Sequence, residues 1–211
     1  MDAKEKAQRL HAAGSVLARL YLESPDSGLR EHLADPGMLD SWPLQDEASR
    51  AGIARLRRGP ADTKEDLLRD HLYLFTGVGA PLAQPYESPY VTDEGLLFDE
   101  HVTLPVRSLY ASCGFHIPEV GRYPEDHIGF EIAFVSAGCT MLFGVASDAT
   151  PGEKEGIRTA VTAMYADHLM AFAPEVIASL RAHASTAVYQ ALPDLTQGFL
   201  EGVRGLLKEV R

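Results

Sequence analysis

Cysteine is nearly absent from this chain: two in 211 residues, Cys113 and Cys139. Two thiols cannot build the disulfide framework of a small secreted domain, and no C-x-x-C pair is present. Basic residues are also scarce. Nineteen Lys and Arg stand against thirty Asp and Glu, a formal net charge of −11. That deficit argues against nucleic acid as a partner, because a binder needs a basic face to displace counterions. It fits an anionic membrane surface poorly for the same reason. A negative field suits a basic peptide, whose encounter it speeds, although plain solubility explains the charge by itself. Long apolar runs are missing as well, so no stable membrane insertion is predicted. The first fourteen residues, MDAKEKAQRLHAAG, mix charges of both signs and hold neither an apolar stretch nor twin arginines. They predict a chain without an export signal of its own, in a reducing cytoplasm.

Period-two alternation is rare, and the helical period is common. Ala7, Leu10, Ala13, Leu17, Leu20 and Tyr21 recur at steps of three and four, which predicts a helix over about 3–22. Asp26 caps a short helix with Leu29 and Leu33, and a turn-rich stretch from Pro36 to Pro43 follows. A helix carrying Ala48, Ala51 and Leu56 is stopped by Gly59-Pro60. Asp62 or Thr63 then caps a helix through Leu67, His71 and Phe75. Glycines and prolines break the segment 77–95, GVGAPLAQPYESPYVTDEG, which reads as an ordered connection. A helix from Phe98 to Cys113, with Pro105 kinking it or setting its start, leads to a second loop, FHIPEVGRYP. Ile128, Ile132, Val135 and Cys139 mark the next helix. Three more are expected at about 151–171, 174–191 and 193–209, with Pro151, Pro174 and Pro193 in their first turns. The expectation is an all-α fold: one helical-bundle domain over 1–211, with nine or ten helices. Two helical halves, 1–76 and 98–211, are joined by the Pro/Tyr-containing connection 77–97.

Familiar catalytic motifs are absent. There is no phosphate loop, no G-x-G-x-x-G and no G-x-S-x-G elbow. The eight histidines include no i,i+4 pair, and none has Glu three residues before it. Both cysteines sit at apolar helical positions and read as packing residues. No cofactor and no metal are predicted.

One cluster stands out: Pro124-Glu125-Asp126-His127 at a helix start, with Glu131 one turn on. Acids there complement the helix dipole, so the cluster reads first as a lock that ties the preceding loop down. The alternative is a small helical metal-dependent enzyme using Asp126, His127 and Glu131.

The stretch Tyr123-Pro124-Glu125-Asp126-His127-Ile128, followed by Glu131, Ile132, Phe134 and Val135, resembles the proline–acid–Asp-His signature of redox-enzyme maturation chaperones. These are the TorD/DmsD/NarJ-type chaperones of molybdenum enzymes. LLRDHLYLFTG over 67–77 resembles the family's helix end, and Pro85-Tyr86-Glu87-Ser88-Pro89-Tyr90 its Pro-aromatic-Glu-Ser segment. His168-Leu169, Phe172 and Pro174 are similar to its late His-Leu element, with Phe172 where Trp is usual. The resemblance spans about 10–207. It implies an all-helical, monomeric protein with no catalysis, while the long 77–95 connection makes a domain-swapped dimer physically plausible. The implied partners are the twin-arginine signal peptide and the body of a molybdopterin oxidoreductase catalytic subunit. The resemblance also implies a peptide-binding surface of Tyr73, Phe75, Pro85, Tyr86, Ser88, Tyr90, Asp126 and His127. Glu87, Asp93, Glu94 and Glu125 are expected as an acidic rim facing the arginines.

Overall fold

The computed structural model describes residues 1–59, 62–77, 79–93, 95–117, 123–143 and 150–209. Within them the chain is helical, with no β-strand and one isolated bridge between Tyr86 and His127. The helices are α1 (Ala3–Leu22), α2 (Ser27–Ala34), α3 (Pro36–Asp40), α4 (Glu47–Arg58), α5 (Lys64–His71), α6 (Ser88–Val91), α7 (Glu100–Ser112), α8 (Ile128–Phe143), α9 (Pro151–Ala163), α10 (Met170–His183) and α11 (Ala187–Leu207). Two π-helical turns, Leu72–Thr76 and Met164–Leu169, follow α5 and α9 directly.

Short acidic and hydroxyl side chains start most of these helices. Asp2, Asp26, Asp35, Asp46 and Asp99 each accept a backbone N–H of the first turn of α1, α2, α3, α4 and α7. Thr63 does so for α5, and Thr150 with Glu153 closes a capping box on α9. Part of the acidic excess is therefore helix-capping chemistry. Asp62 and Asp70 cap at long range. Asp70 accepts from the amides of Ser185 and Thr186, and Asp62 from those of Ala187 and Val188, so one carboxylate within α5 and one just before it take the amides around the start of α11.

The core forms one continuous cluster that draws on segments before and after 77–97. α1 packs along α8 and α11, and α4 along α11, so the two sequence halves interleave. α8 is apolar on nearly every face, which suits a helix buried between α1 and α9. Gly129 lets α1 and α8 touch: a Cβ there would lie 2.8 Å from Leu22 and 3.0 Å from the Ala18 carbonyl.

Three expectations at prolines are corrected. Residues 36–40 form a short helix with Pro36 at its first position. Pro174 and Pro193 open no helix; they lie inside α10 and α11. An internal proline costs roughly 3 kcal/mol. Burying Leu192 and Leu195 on either side of Pro193 returns about 1.5–3 kcal/mol each. At Pro174 the helix runs on from the preceding π turn, with Phe172, Ala173, Val176 and Ile177 buried around it.

The first π turn shapes the loop beyond it. Its widened ring closes with the Gly77 amide on the Leu72 carbonyl, and Gly77 takes a positive φ of 73°. The returning chain then satisfies the freed carbonyls: Leu82 N–H donates to Tyr73 and Ala83 N–H to Leu74. The chain after Gly77 is thus folded back over the end of α5.

Candidate functional site

Two of the singled-out segments meet. The Glu87 amide donates to the Asp126 carbonyl at 3.0 Å, and the Ile128 amide to the Pro85 carbonyl at 2.8 Å. This places Tyr86 and His127 edge to face, with ring centroids 5.0 Å apart. Asp126 reinforces the pairing from its side chain. Its Oδ2 accepts the Ser88 amide at 2.8 Å and the Ser88 hydroxyl at 2.5 Å. Ser88 Oγ in turn accepts the Asp99 amide at the start of α7. Asp126 therefore ties the start of α8 to the Pro/Tyr segment, on the far side of α7 in the chain, and not to the loop directly before it.

The acids around this lock are buried. Glu87 is 3% exposed and pairs with His168 Nδ1 at 2.9 Å; the second π turn carries that histidine. Glu131 is fully buried, and neither of its oxygens has a hydrogen-bond partner. Burial, then the nearby Glu87 and Asp126, hold its carboxyl well above the usual range, which favours the neutral form. Asp126 is also raised, chiefly by burial, against the opposing pull of the Ser88 bonds. Glu87 and Asp126 thus face the interior instead of a solvent rim. Glu125 is tied to Arg107 at 2.5 Å, and its carbonyl takes the Tyr110 hydroxyl. Asp93 is exposed, and Glu94 lies outside the described residues.

His127 is neutral. Its Nδ1 accepts the Gly129 amide at 3.0 Å, which leaves the proton on Nε2. Burial, aided by His71, pushes its pKa down to about 3. Among the described residues, no three His, Cys, Asp or Glu side chains are grouped to hold a metal. Asp126, His127 and Glu131 are not grouped as a ligand set, and the carboxyls of Asp126 and Glu131 are fully buried.

The remaining expected residues separate by exposure. Phe75 is core, packed edge-on against Tyr21, His71 and Tyr189 at 5.1–5.8 Å. Tyr73, two residues earlier, points outward and is 53% exposed. Tyr90 donates its hydroxyl to the Gln84 carbonyl and packs on Phe172, joining the loop to the late His-Leu element.

Between these segments lies a cleft of about 390 Å³, within the range of small-ligand pockets. Phe75, Tyr86 and His127 line it, together with Tyr21, His71, Gln84, Leu97 and Tyr123. The sequence reading missed that second group. Tyr21 and His71 sit in regular helices and carry no loop signal. Tyr123 stands in the sequence only as a flank of the Asp-His motif.

Residues 41–178 match the family model described as nitrate reductase delta subunit. No curated protein matches the chain.

Proposed function

The chain belongs to the nitrate reductase delta subunit family, a TorD/NarJ-type family of molybdoenzyme maturation chaperones, and from that premise we propose that it is a cytoplasmic chaperone for the twin-arginine signal peptide and apo form of a molybdopterin oxidoreductase catalytic subunit. It holds the client until the cofactor is inserted and so delays export. It performs no catalysis of its own. The supporting observation is the convergence of the Pro85–Tyr90 and Asp126–His127 segments on one aromatic cleft. Helix-in-groove recognition needs such walls, because rigid aromatics carry much of the energy of peptide binding. Exposed Tyr73 on the neighbouring turn extends the surface.

Titration calorimetry with a synthetic twin-arginine leader from an oxidoreductase encoded beside this chain tests the reading. Saturable binding at about tens of micromolar or tighter is expected. No heat, and no competition with client apoenzyme, would sink it.

A further inference from the structure

A second cleft, of about 440 Å³, shares no lining residue with the aromatic one. It opens between α2, α3, the end of α4, α5 and the start of α11. Leu33, Leu39, Leu56, Leu67 and Val188 give it apolar walls. Gly59 lets the end of α4 reach the start of α11, because a Cβ there would collide with the Ala187 side chain.

Four charged side chains also line this cleft: Arg30, Asp40, Arg57 and Asp62. Three are engaged. Arg57 pairs with Asp40, and Asp62 accepts the amides of Ala187 and Val188. Arg30 is the exception. It is half-buried, its Nε is shut off from water, and no acceptor for that N–H is present among the described residues. No described carboxylate pairs with its guanidinium. Yet the chain holds thirty acids, and Arg9, Arg19, Arg55, Arg69 and Arg107 each take one.

A guanidinium with one N–H out of water and no anion beside it carries an unmet cost. An incoming carboxylate offsets that cost, and its two oxygens match the planar fork of the arginine. One free cation suits one negative charge. A phosphate group would call on a second cation, and the charge of Arg57 is already met by Asp40. An ammonium ligand would find Asp40 and Asp62 engaged and Arg30 opposing it. The volume is that of a small-molecule site, and its leucine walls call for an apolar body.

We propose that this cleft binds a small apolar monocarboxylate, with its acyl or aryl body on the leucine walls and its carboxylate on Arg30. The site goes beyond the proposed function and does not rest on it, since the two clefts have no residue in common.

The test uses the full chain with methyl-labelled leucine and valine, titrated with octanoate, octylammonium and acetate. Octanoate should shift the methyl signals of Leu33, Leu39, Leu56, Leu67 and Val188 saturably, with a Kd on the order of millimolar or tighter. Acetate lacks the body and octylammonium the anion, so each should bind at least about tenfold more weakly. Arg30→Gln should weaken octanoate by about tenfold, and Arg30→Lys, which keeps the charge, should restore part of the loss. Arg30 holds no side-chain bond to the described residues, so both variants should keep the parent's methyl spectrum away from the cleft. Octylammonium binding as tightly as octanoate would overturn the proposal. So would an Arg30→Gln protein with the parent's affinity, or saturable shifts confined to Leu22 and Leu97 at the aromatic cleft.

Discussion

Asp126 Oδ2 receives both the backbone amide and the hydroxyl of Ser88, a residue 38 positions earlier in the chain. The two bonds join the start of α8 to the Pro/Tyr segment, and the edge-to-face contact of Tyr86 with His127 depends on that junction. Asp126→Ala would leave the buried Ser88 amide without an acceptor, at a cost of about 1–3 kcal/mol. For a chain of this size each kcal/mol lowers Tm by roughly 2–4 °C. Ser88→Ala should cost less, because the amide bond remains. A thermal-melt double-mutant cycle is expected to give a clear coupling energy between the two positions. Strict additivity would mean that the bonds do not hold the junction.

Glu131 makes a pH prediction of definite sign. Its carboxyl favours the neutral form in the fold, held well above its ordinary value of 4.5. Between 4.5 and the raised value the unfolded chain has lost this proton and the folded chain has kept it. Stability therefore falls as pH rises through that window, by about 1.4 kcal/mol per pH unit. Glu131→Gln removes this contribution while keeping shape and neutrality. Urea midpoints measured upward from pH 5 should show the variant gaining on the parent until the raised value is passed. A constant difference across the series would mean that Glu131 is ionised in the fold.

His127 and His71 act with the opposite sign. Their folded pKa values, about 3 and about 4, lie below the ordinary 6.5. Below pH 6.5 the unfolded chain takes up protons that the folded chain refuses, so stability falls on acidification toward those values. Above about pH 4.5, wherever the two windows overlap, the histidines and Glu131 oppose each other, and the parent protein should show a shallower profile there than either variant. Removing either side exposes the other. His127→Asn is expected to make stability fall more steeply with rising pH, whereas Glu131→Gln makes it rise more steeply. Parallel profiles for the two variants would overturn the opposition.

Much of the helical frame was readable in the sequence because its cues are local. The apolar steps of three and four place α1, Asp26 and the Asp62–Thr63 pair place α2 and α5 as caps, and Pro151 marks α9, each near its observed start. Pro174 and Pro193 misled because a first-turn proline and an internal one look alike until the packing around them is known. The π turns escape a periodic reading because a single wide turn is too short to establish a period. Within the site, Asp126 and Ser88 stood out as motif members, but the burial of Glu87, Asp126 and Glu131 did not. A carboxylate ordinarily reads as solvent-facing, and only the chain brought over it shows otherwise. His168 is the companion case: its pairing with Glu87 spans 81 residues, and no local spacing predicts that.

Tyr73 and Phe75 should divide stability from recognition. They lie two residues apart on the same π turn, one 53% exposed and the other 4%. Phe75 fills space between Tyr21, His71 and Tyr189, so Phe75→Ala should cost about 3–5 kcal/mol and lower the melting temperature sharply. Any loss of leader binding would then follow from damage to the cleft wall. Tyr73→Ala removes a side chain with little burial to lose, so the melt should move by no more than about 0.5 kcal/mol. If the exposed ring belongs to the client surface, leader affinity should still fall by about tenfold, a rigid aromatic's ordinary share of a binding surface. Calorimetry and thermal melts on the two variants decide it. A Tyr73→Ala protein with the parent's affinity would confine recognition to the cleft and leave the outer face of this turn without a part in it.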